Sequence, residues 1–169
     1  MSHAKNKVEW CIKKAEKELA AGDKHRGLVK VKPDTGKARE HIKKAEHYLR
    51  ASDYLKKGNF SDISASTFFY SMYHCLLAIA IKFGYESRNQ ECTFALMHSL
   101  IEDGKIDFDK GLLDRIAKLD TEKSQEKTTV ELREQYQYGV GMSIKDDLYN
   151  ELFELAKEVI SKTKLIIEE

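Results

Sequence analysis

Apolar side chains recur every three to four residues along most of this chain, which is the spacing that lines one face of an α-helix. In the first such segment the spaced positions are Val8, Ile12, Ala15 and Leu19, and the pattern stops near Gly22. This segment predicts an amphipathic helix that packs its apolar face against the rest of the protein.

The connector after it, residues 25–34, contains the alternating run LVKVK and the only proline of the chain, Pro33. Alternation is typical of a β-strand, but the residue before a proline is also extended in ordinary linkers. Because the run is short and isolated, we expect an extended linker, and we keep a strand as the less favoured alternative.

A second helical segment begins at a turn around Asp34 and ends in two lysines and Gly58. We expect Gly58 to take the left-handed conformation that closes many helices, and Asn59 or Ser61 to cap the next helix. The spaced positions of this segment are Ala38, Ile42, Ala45, Leu49, Ser52 and Leu55.

Residues 63–81 carry no formal charge, although charged side chains make up 34% of the chain. A stretch of about 20 apolar residues can span a bilayer, but this one contains polar groups that lipid would leave without partners. We therefore expect the buried central helix of a bundle, ending at Phe83 and Gly84, and no membrane span. The polar residues are Ser64, Ser66, Thr67, Tyr70, Ser71, Tyr73 and His74.

Helical spacing returns in four later segments, and a charged stretch at 120–127 separates the second from the third. The chain therefore predicts an all-α fold, an up-and-down bundle of about five long helices with short extra helices. We expect residues 1–33 to form an N-terminal helix and connector that pack on the bundle of residues 34–169. The later segments cover residues 89–102, 112–119, 130–138 and 148–166.

Composition narrows the environment of the protein. Lysine and arginine (29) nearly balance aspartate and glutamate (28), so no net field attracts the chain to nucleic acid or anionic membranes. The cysteines, Cys11, Cys75 and Cys92, form no C-x-x-C pair, and their odd number argues against a disulfide framework. We expect reduced thiols in a soluble cytoplasmic protein, because the N-terminus also lacks the apolar stretch of a signal peptide.

Motifs for common enzyme chemistry are missing from the sequence. It contains no H-E-x-x-H zinc motif, no glycine-rich phosphate loop and no G-x-S-x-G turn, which are the signatures of those sites. The histidines show no helical pairing, since His41 and His47 are six residues apart and so lie on different faces of a helix. We expect neither a metal nor another cofactor.

Tyr70, Tyr73 and His74 have the spacing that places three polar side chains on one helix face. Such a cluster can support a site, but more often it fixes helix packing through satisfied hydrogen bonds. Arg88 and Asn89 open the next helical segment, either as a loop arginine with an N-cap or as direct ligand contacts. Tyr73, His74, Arg88 and Asn89 are therefore candidate ligand-binding residues.

Arg133 is the stronger functional candidate, because aromatic and amide side chains follow it in ELREQYQYG. An arginine beside such rings can hold a phosphate while a ring stacks on a base. The accompanying candidates are Tyr136, Gln137 and Tyr138. The alternative, which the residues leave equally open, is an ion pair between Arg133 and a carboxylate such as Glu134.

Taken together, these segments resemble the HEPN domain family, in its archaeal-type single-domain form, over about residues 38–167. The resemblance rests on AREHIKKAEHYLRASDYLKKGNFSD, FFYSMYHCLLAIAIKFGYESRNQECT, LIEDGKID and LREQYQYG. It implies an up-and-down helical bundle, usually a homodimer, whose functional cleft lies where the two protomers meet.

Many members of this family resemble metal-independent ribonucleases with an arginine, four to six further residues and then a histidine. Those side chains would polarise the scissile phosphate and manage the proton of the RNA 2′-hydroxyl. Here Arg133 matches, but the histidine position is Tyr138, Gly139 or Val140. Since tyrosine is a poor base at neutral pH, we favour a protein that is not an enzyme, with Arg133 and Tyr138 as the candidates if it is one.

Three functions follow from the resemblance. The favoured one is a degenerate, non-catalytic HEPN dimer that binds a nucleotide or RNA beside Arg133, Tyr138, Tyr73 and His74, and that acts with a minimal nucleotidyltransferase. In toxin–antitoxin members such a partner modifies a tyrosine with AMP, and that position is Val140 here. The second is a working ribonuclease that uses Arg133, and the third is a structural dimerisation or adaptor module.

Overall fold

Helices make up most of the structure, a computed structural model that describes residues 1–118 and 140–169. This confirms the all-α bundle, whereas the predicted helix at 130–138 and the charged stretch at 120–127 lie outside the described residues. The helices are α1 (His3–Ala20), α2 (Thr35–Lys57), α3 (Ser64–Lys82), α4 (Gln90–Glu102), α5 (Lys110–Lys118) and α6 (Asp146–Glu168), and the strands are β1 (Leu28–Lys30) and β2 (Tyr85–Ser87).

The charge-free segment forms α3, which lies at the centre of the bundle with α2 and α6 packed along it. Phe68, Met72 and Leu76 of α3 have no exposed area. Together with the turn before it, α3 is long and apolar enough to cross a membrane, but most of that stretch is buried inside the protein. The prediction of a buried central helix is confirmed.

The turn between α2 and α3 differs from the prediction. Gly58 has an ordinary φ of −83°, and Asn59 takes the left-handed conformation instead, with φ 64°. Asparagine tolerates that conformation better than most residues. Neither Asn59 nor Ser61 caps α3, because a short 3-10 turn precedes it, and the Ser61 hydroxyl accepts a hydrogen bond from the Ile144 amide at 3.0 Å.

The predicted linker is wrong at Leu28–Lys30, which forms β1 and pairs antiparallel with β2. Leu28 faces Ser87, and Lys30 faces Tyr85. The partner strand comes after α3 in the chain, so no local pattern around the LVKVK run could reveal it. Leu28 is fully buried, and this burial adds hydrophobic stabilisation to the short ladder.

The expectation of reduced thiols is wrong for two of the cysteines. Cys11 of α1 and Cys92 of α4 form a disulfide, with their Cα atoms 5.9 Å apart, while Cys75 is a buried free thiol. An odd number of cysteines excludes only complete pairing, and one bond with one thiol satisfies it. The buried face of α1 also differs from the prediction. It includes Cys11, whereas Leu19, which we expected in the core, is 48% exposed.

The last turn of α6 closes one end of the bundle. Ile167 packs in a small apolar cluster with Ala38 and Ile42 of α2 and with Ala78 and Ile81 of α3. On the surface beside this cluster, Glu168 pairs with the Arg39 guanidinium at 2.8 Å. The end of α6 is therefore held by both of the helices that form the centre of the fold.

Candidate functional site

The candidate residues fall into two groups. Tyr73, His74, Arg88 and Asn89 lie in the part of the chain that the structure describes. Arg133, Tyr136, Gln137 and Tyr138 lie outside it, so their part in a site stays a prediction.

Three of the described candidates, Tyr73, Arg88 and Asn89, come together at one open cleft of about 610 Å³, which we call the α4 cleft. It lies where α3 meets the end of β2 and the first turn of α4. A run of consecutive residues forms most of its wall, so the site is built on a strand end and a helix start rather than on a loose loop. The lining residues are Tyr73, Ser87, Arg88, Asn89, Gln90 and Glu91.

Asn89 starts α4 from the wall of the α4 cleft. Its backbone is extended, and its side-chain oxygen accepts a hydrogen bond from the Cys92 amide at 2.9 Å. This confirms the interpretation of Asn89 as an N-cap. Because its side-chain oxygen already accepts this hydrogen bond, Asn89 helps to form the cleft wall through the start of α4.

A chain of hydroxyl groups connects the two sides of the α4 cleft. The Tyr73 hydroxyl lies 3.0 Å from Oγ1 of the fully buried Thr93, which in turn lies 2.7 Å from the Ser87 hydroxyl. Ser87 also donates to the Asn89 carbonyl at 3.1 Å. Buried polar groups that are satisfied in this way hold one arrangement, so the Tyr73 ring is fixed relative to the start of α4.

Arg88 supplies the positive charge of the α4 cleft. Its Nε donates to the Glu86 carboxylate at 3.1 Å, and Nε2 of the buried His25 lies 3.2 Å from the same oxygen. Partial burial raises the pKa of Glu86, but the hydrogen bond from His25 and the charge of Arg88 outweigh it and keep this pKa below its usual value. The terminal nitrogens of Arg88 have no partner among the described residues, and half of its side chain is exposed.

The start of α4 adds its own field to the site. A helix N-terminus carries a partial positive charge and unpaired amides that favour an anion. Glu91 opposes this charge from the first turn, but the Lys7 ammonium of α1 lies 2.8 Å from its carboxylate and offsets it. The formal charges of this ion pair and of the Arg88–Glu86 pair cancel, so an anion at the α4 cleft would be held by the first-turn amides of α4 and by the terminal nitrogens of Arg88.

His74 lies on a different face of α3 from Tyr73, which corrects the prediction that the two share one face. Neighbours in a helix point about 100° apart, and Tyr73 packs toward Phe69 and Thr93. His74 instead belongs to a row of nearly parallel rings that joins α2 to α3 at centroid distances of 5.3 to 5.6 Å. The rings of this aromatic row are those of His41, His74, Tyr48 and Tyr70.

The two histidines of the aromatic row share a hydrogen bond, with their Nδ1 atoms 3.1 Å apart. Partial burial, with help from His41 and Lys44, lowers the pKa of His74 to about 4. Burial and the charge of Lys37 also lower the pKa of His41. Both imidazoles are therefore neutral at pH 7, and neither Nε2 atom has a partner among the described residues.

Sequence reasoning missed Ser87 and Thr93 in the cleft, and His41 and Tyr48 in the aromatic row. Nothing local marks the two hydroxyl residues, because their contacts depend on where β2 meets α3. A signal did exist for the row, since His41 and Tyr48 are two helical turns apart and so share a face. If α2 and α3 are assumed to pack as an antiparallel helical hairpin, this face of α2 lies against His74 of α3.

Within residues 1–118 and 140–169, no three histidine, cysteine or acidic side chains are placed to hold a metal ion. His41 and His74 are close to each other, with their Nδ1 atoms 3.1 Å apart. Two imidazoles alone fall short of the three or four protein ligands of a typical zinc site.

Comparison with known proteins identifies the fold family. No curated protein matches this chain, but the model of the HEPN domain matches residues 38–167. The match covers well over half of the chain, from the first turn of α2 to the last turn of α6, and includes the α4 cleft and the aromatic row. The chain belongs to the HEPN domain family.

Proposed function

We propose that the protein is a non-catalytic HEPN dimer that binds a nucleotide or RNA at the α4 cleft. The observation that carries this proposal is the convergence of Arg88, the fixed Tyr73 ring and the start of α4. The terminal nitrogens of Arg88 bond to none of the described residues, and half of its side chain is exposed. Arginine and helix N-termini are frequent phosphate ligands, and tyrosine rings are frequent partners of bases.

The chemistry of binding follows from the positions of these groups. The phosphate lies beside the terminal nitrogens of Arg88, while the Tyr73 ring, fixed through its hydroxyl bond to Thr93, contacts the base or sugar. Arg133, Tyr136, Gln137 and Tyr138 stay proposed ligand residues on the strength of the sequence alone. The His74 ring lies on a different face of α3 from the cleft. It contacts the ligand only if the ligand extends over the aromatic row.

We expect no cleavage because the ribonuclease motif is incomplete in this sequence. Its histidine is replaced by Tyr138, Gly139 or Val140, and a tyrosine holds its proton too tightly to act as a base at neutral pH. Phosphate binding needs no proton transfer and so survives this loss. We therefore expect a protein that holds RNA without cutting it.

Fluorescence anisotropy with a labelled single-stranded RNA, competed with ATP and GTP, tests the binding. Arg88→Ala should weaken it at least tenfold, because a charge-assisted contact to phosphate is lost. Arg50→Ala is the matched control, since Arg50 is an exposed arginine on α2 away from the α4 cleft. No binding by the wild type, or equal binding by the two variants, would overturn the proposal.

The proposed assembly is a cytoplasmic homodimer that works with a minimal nucleotidyltransferase. HEPN domains commonly dimerise, and a dimer would bring two α4 clefts into one particle. Light scattering of the purified protein measures its mass directly, and a monomer at micromolar concentration contradicts the dimer. A neighbouring reading frame for a small nucleotidyltransferase, with co-purification of the two proteins, supports the partner.

A second function, metal-independent RNA cleavage, is favoured by one observation: His41 and His74 form a neutral pair through their Nδ1 atoms, and their Nε2 atoms bond to none of the residues that the structure describes. A neutral imidazole oriented by a second one can act as a general base on a 2′-hydroxyl. Cleavage of RNA in EDTA that is lost in His74→Gln and kept in His47→Gln would establish it. If the protein neither binds nor cleaves RNA, the structural adaptor function takes precedence.

A further inference from the structure

The N-terminal segment, residues 3–30, lies outside the family match and contacts the wall of the α4 cleft at several points. The Arg88 amide donates to the Gly27 carbonyl at 3.2 Å. Lys7 pairs with Glu91, and His25 holds the Glu86 carboxylate that positions Arg88. Two of these contacts are with residues that line the cleft, and the third is with the residue that orients the arginine.

Two further contacts hold the cleft wall, one at each end of it. On one side the ladder pairs Ser87 with Leu28 of β1. On the other side the disulfide joins Cys92 to Cys11 of α1. Residues 87–91, which form most of the lining, are thus held at both ends by the N-terminal segment.

Gly27 packs tightly against α1 within the N-terminal segment. A Cβ atom on Gly27 would lie 2.3 Å from the Cys11 carbonyl oxygen and 3.2 Å from the Ala15 side chain. The chain leading into β1 therefore presses directly on α1 at the residue that forms the disulfide. A shift of α1 is passed to Gly27 and, through its carbonyl, to the amide of Arg88.

We propose that the N-terminal segment is a redox-controlled brace of the α4 cleft, and that ligand affinity there depends on the Cys11–Cys92 disulfide. This regulation rests on the proposed function. Oxidised, the brace fixes both ends of residues 87–91, so that Arg88 and the first turn of α4 are preorganised for phosphate. Reduced, the covalent end is released and the ligand must order the wall on binding, which lowers affinity.

The reductant is a dithiol of the cell. One of its thiolates attacks a sulfur of the Cys11–Cys92 bond, the second resolves the mixed disulfide, and the dithiol is oxidised to its own disulfide. The protein gains two electrons and two protons as two thiols. Both cysteines have no exposed area, so exchange requires α1 to lift from α4 first and is slow.

The test compares RNA binding by the oxidised protein, by protein reduced with dithiothreitol, and by Cys11→Ser. We expect reduction and Cys11→Ser each to weaken binding at least fivefold, with no further effect of reductant on the variant. Cys75→Ser is the matched control and should respond to reductant as the wild type does. Maleimide labelling of unfolded protein verifies each state, because one thiol is free before reduction and three after it.

Amide exchange at residues 87–91 separates failure of the brace from failure of the proposed function. If reduced protein binds RNA as tightly as oxidised protein, the redox control is overturned and the binding function stands. If no RNA binds in either state, the proposed function falls, and faster exchange of residues 87–91 on reduction still tests the brace. Unchanged exchange overturns it. Should Cys11→Ser fold poorly, reduced wild-type protein gives the same comparison.

Discussion

Tyr73 and His74 are neighbours in the chain, but their side chains belong to two surfaces of the molecule. Tyr73 bonds through its hydroxyl to Thr93 beside the α4 cleft, and His74 bonds to His41 in the aromatic row. Substitution of one should therefore leave the other surface intact. At the scale of residues, two neighbouring positions of α3 therefore belong to two separate surfaces.

The stability of the protein should depend on pH through His74. Its pKa is about 4 in the folded protein and 6.5 in an unfolded chain, so the unfolded chain takes up a proton first as the pH falls. The contribution of His74 is fully present above about pH 6.5 and is lost between pH 6.5 and 4. Urea unfolding across this range should show the loss.

His74→Gln should flatten this pH dependence, and His47→Gln should leave it unchanged because His47 is exposed on α2. Imidazole NMR signals give a direct check on the same point. A His74 ring that becomes charged near pH 6.5 would contradict the prediction.

Phe68 gives a second prediction at this scale. It is fully buried and packs edge-on against Tyr149 of α6. Phe68→Ala should lower the free energy of unfolding by about 4 kcal/mol, through lost burial and the cavity left behind. Tyr54→Ala is the control, because Tyr54 is 79% exposed, and it should change stability by at most about 0.5 kcal/mol. Equal effects in a urea titration would contradict the packing described.

At the scale of elements, the helices could be predicted from the sequence and their partners could not. Apolar spacing located α1, α2, α4, α5 and α6, and the lack of charged residues located α3, because both are local properties of the sequence. Strand β1 was missed because its partner lies beyond α3, and the disulfide was missed because residue counts cannot show which thiols meet. Tyr73, Arg88 and Asn89 of the α4 cleft were proposed as ligand residues from their residue types. That they lie close together could not be predicted, because it depends on the path of β2 in the folded protein.

Gly84 allows a test of the junction between α3 and β2. Its φ of +82° is one that side chains disfavour, and an added Cβ would lie 2.9 Å from the Val31 carbonyl oxygen. Gly84→Ala should destabilise the protein by about 3 kcal/mol, through backbone strain and the clash.

Gly22 is the matched control for Gly84. It has φ +81° and no atom within 4 Å of an added Cβ, so Gly22→Ala should cost only about 1 kcal/mol for the left-handed conformation. Thermal unfolding of both variants isolates the contact with Val31. A Gly84→Ala protein as stable as Gly22→Ala would show that this contact yields.

At the scale of the whole molecule, the disulfide joins residues 81 positions apart. A crosslink that closes a loop of this length restricts the unfolded chain, and the chain-entropy relation gives about 4.5 kcal/mol. Reduction should lower the free energy of unfolding by roughly that amount, as measured by urea titration with and without dithiothreitol. Cys11→Ser should show no difference between the two conditions, and a wild type that unfolds at the same urea concentration in both would contradict the estimate.

The place of α6 in the fold has a consequence for synthesis of the protein. α6 covers α3, and its last turn fills the cluster formed by Ala38, Ile42, Ala78 and Ile81. A ribosome completes α3 long before it reaches Ile167, so the most apolar helix emerges without its cover. The bundle therefore closes only after α6 has left the ribosome, and until then we expect α3 to expose apolar surface of the kind that chaperones recognise.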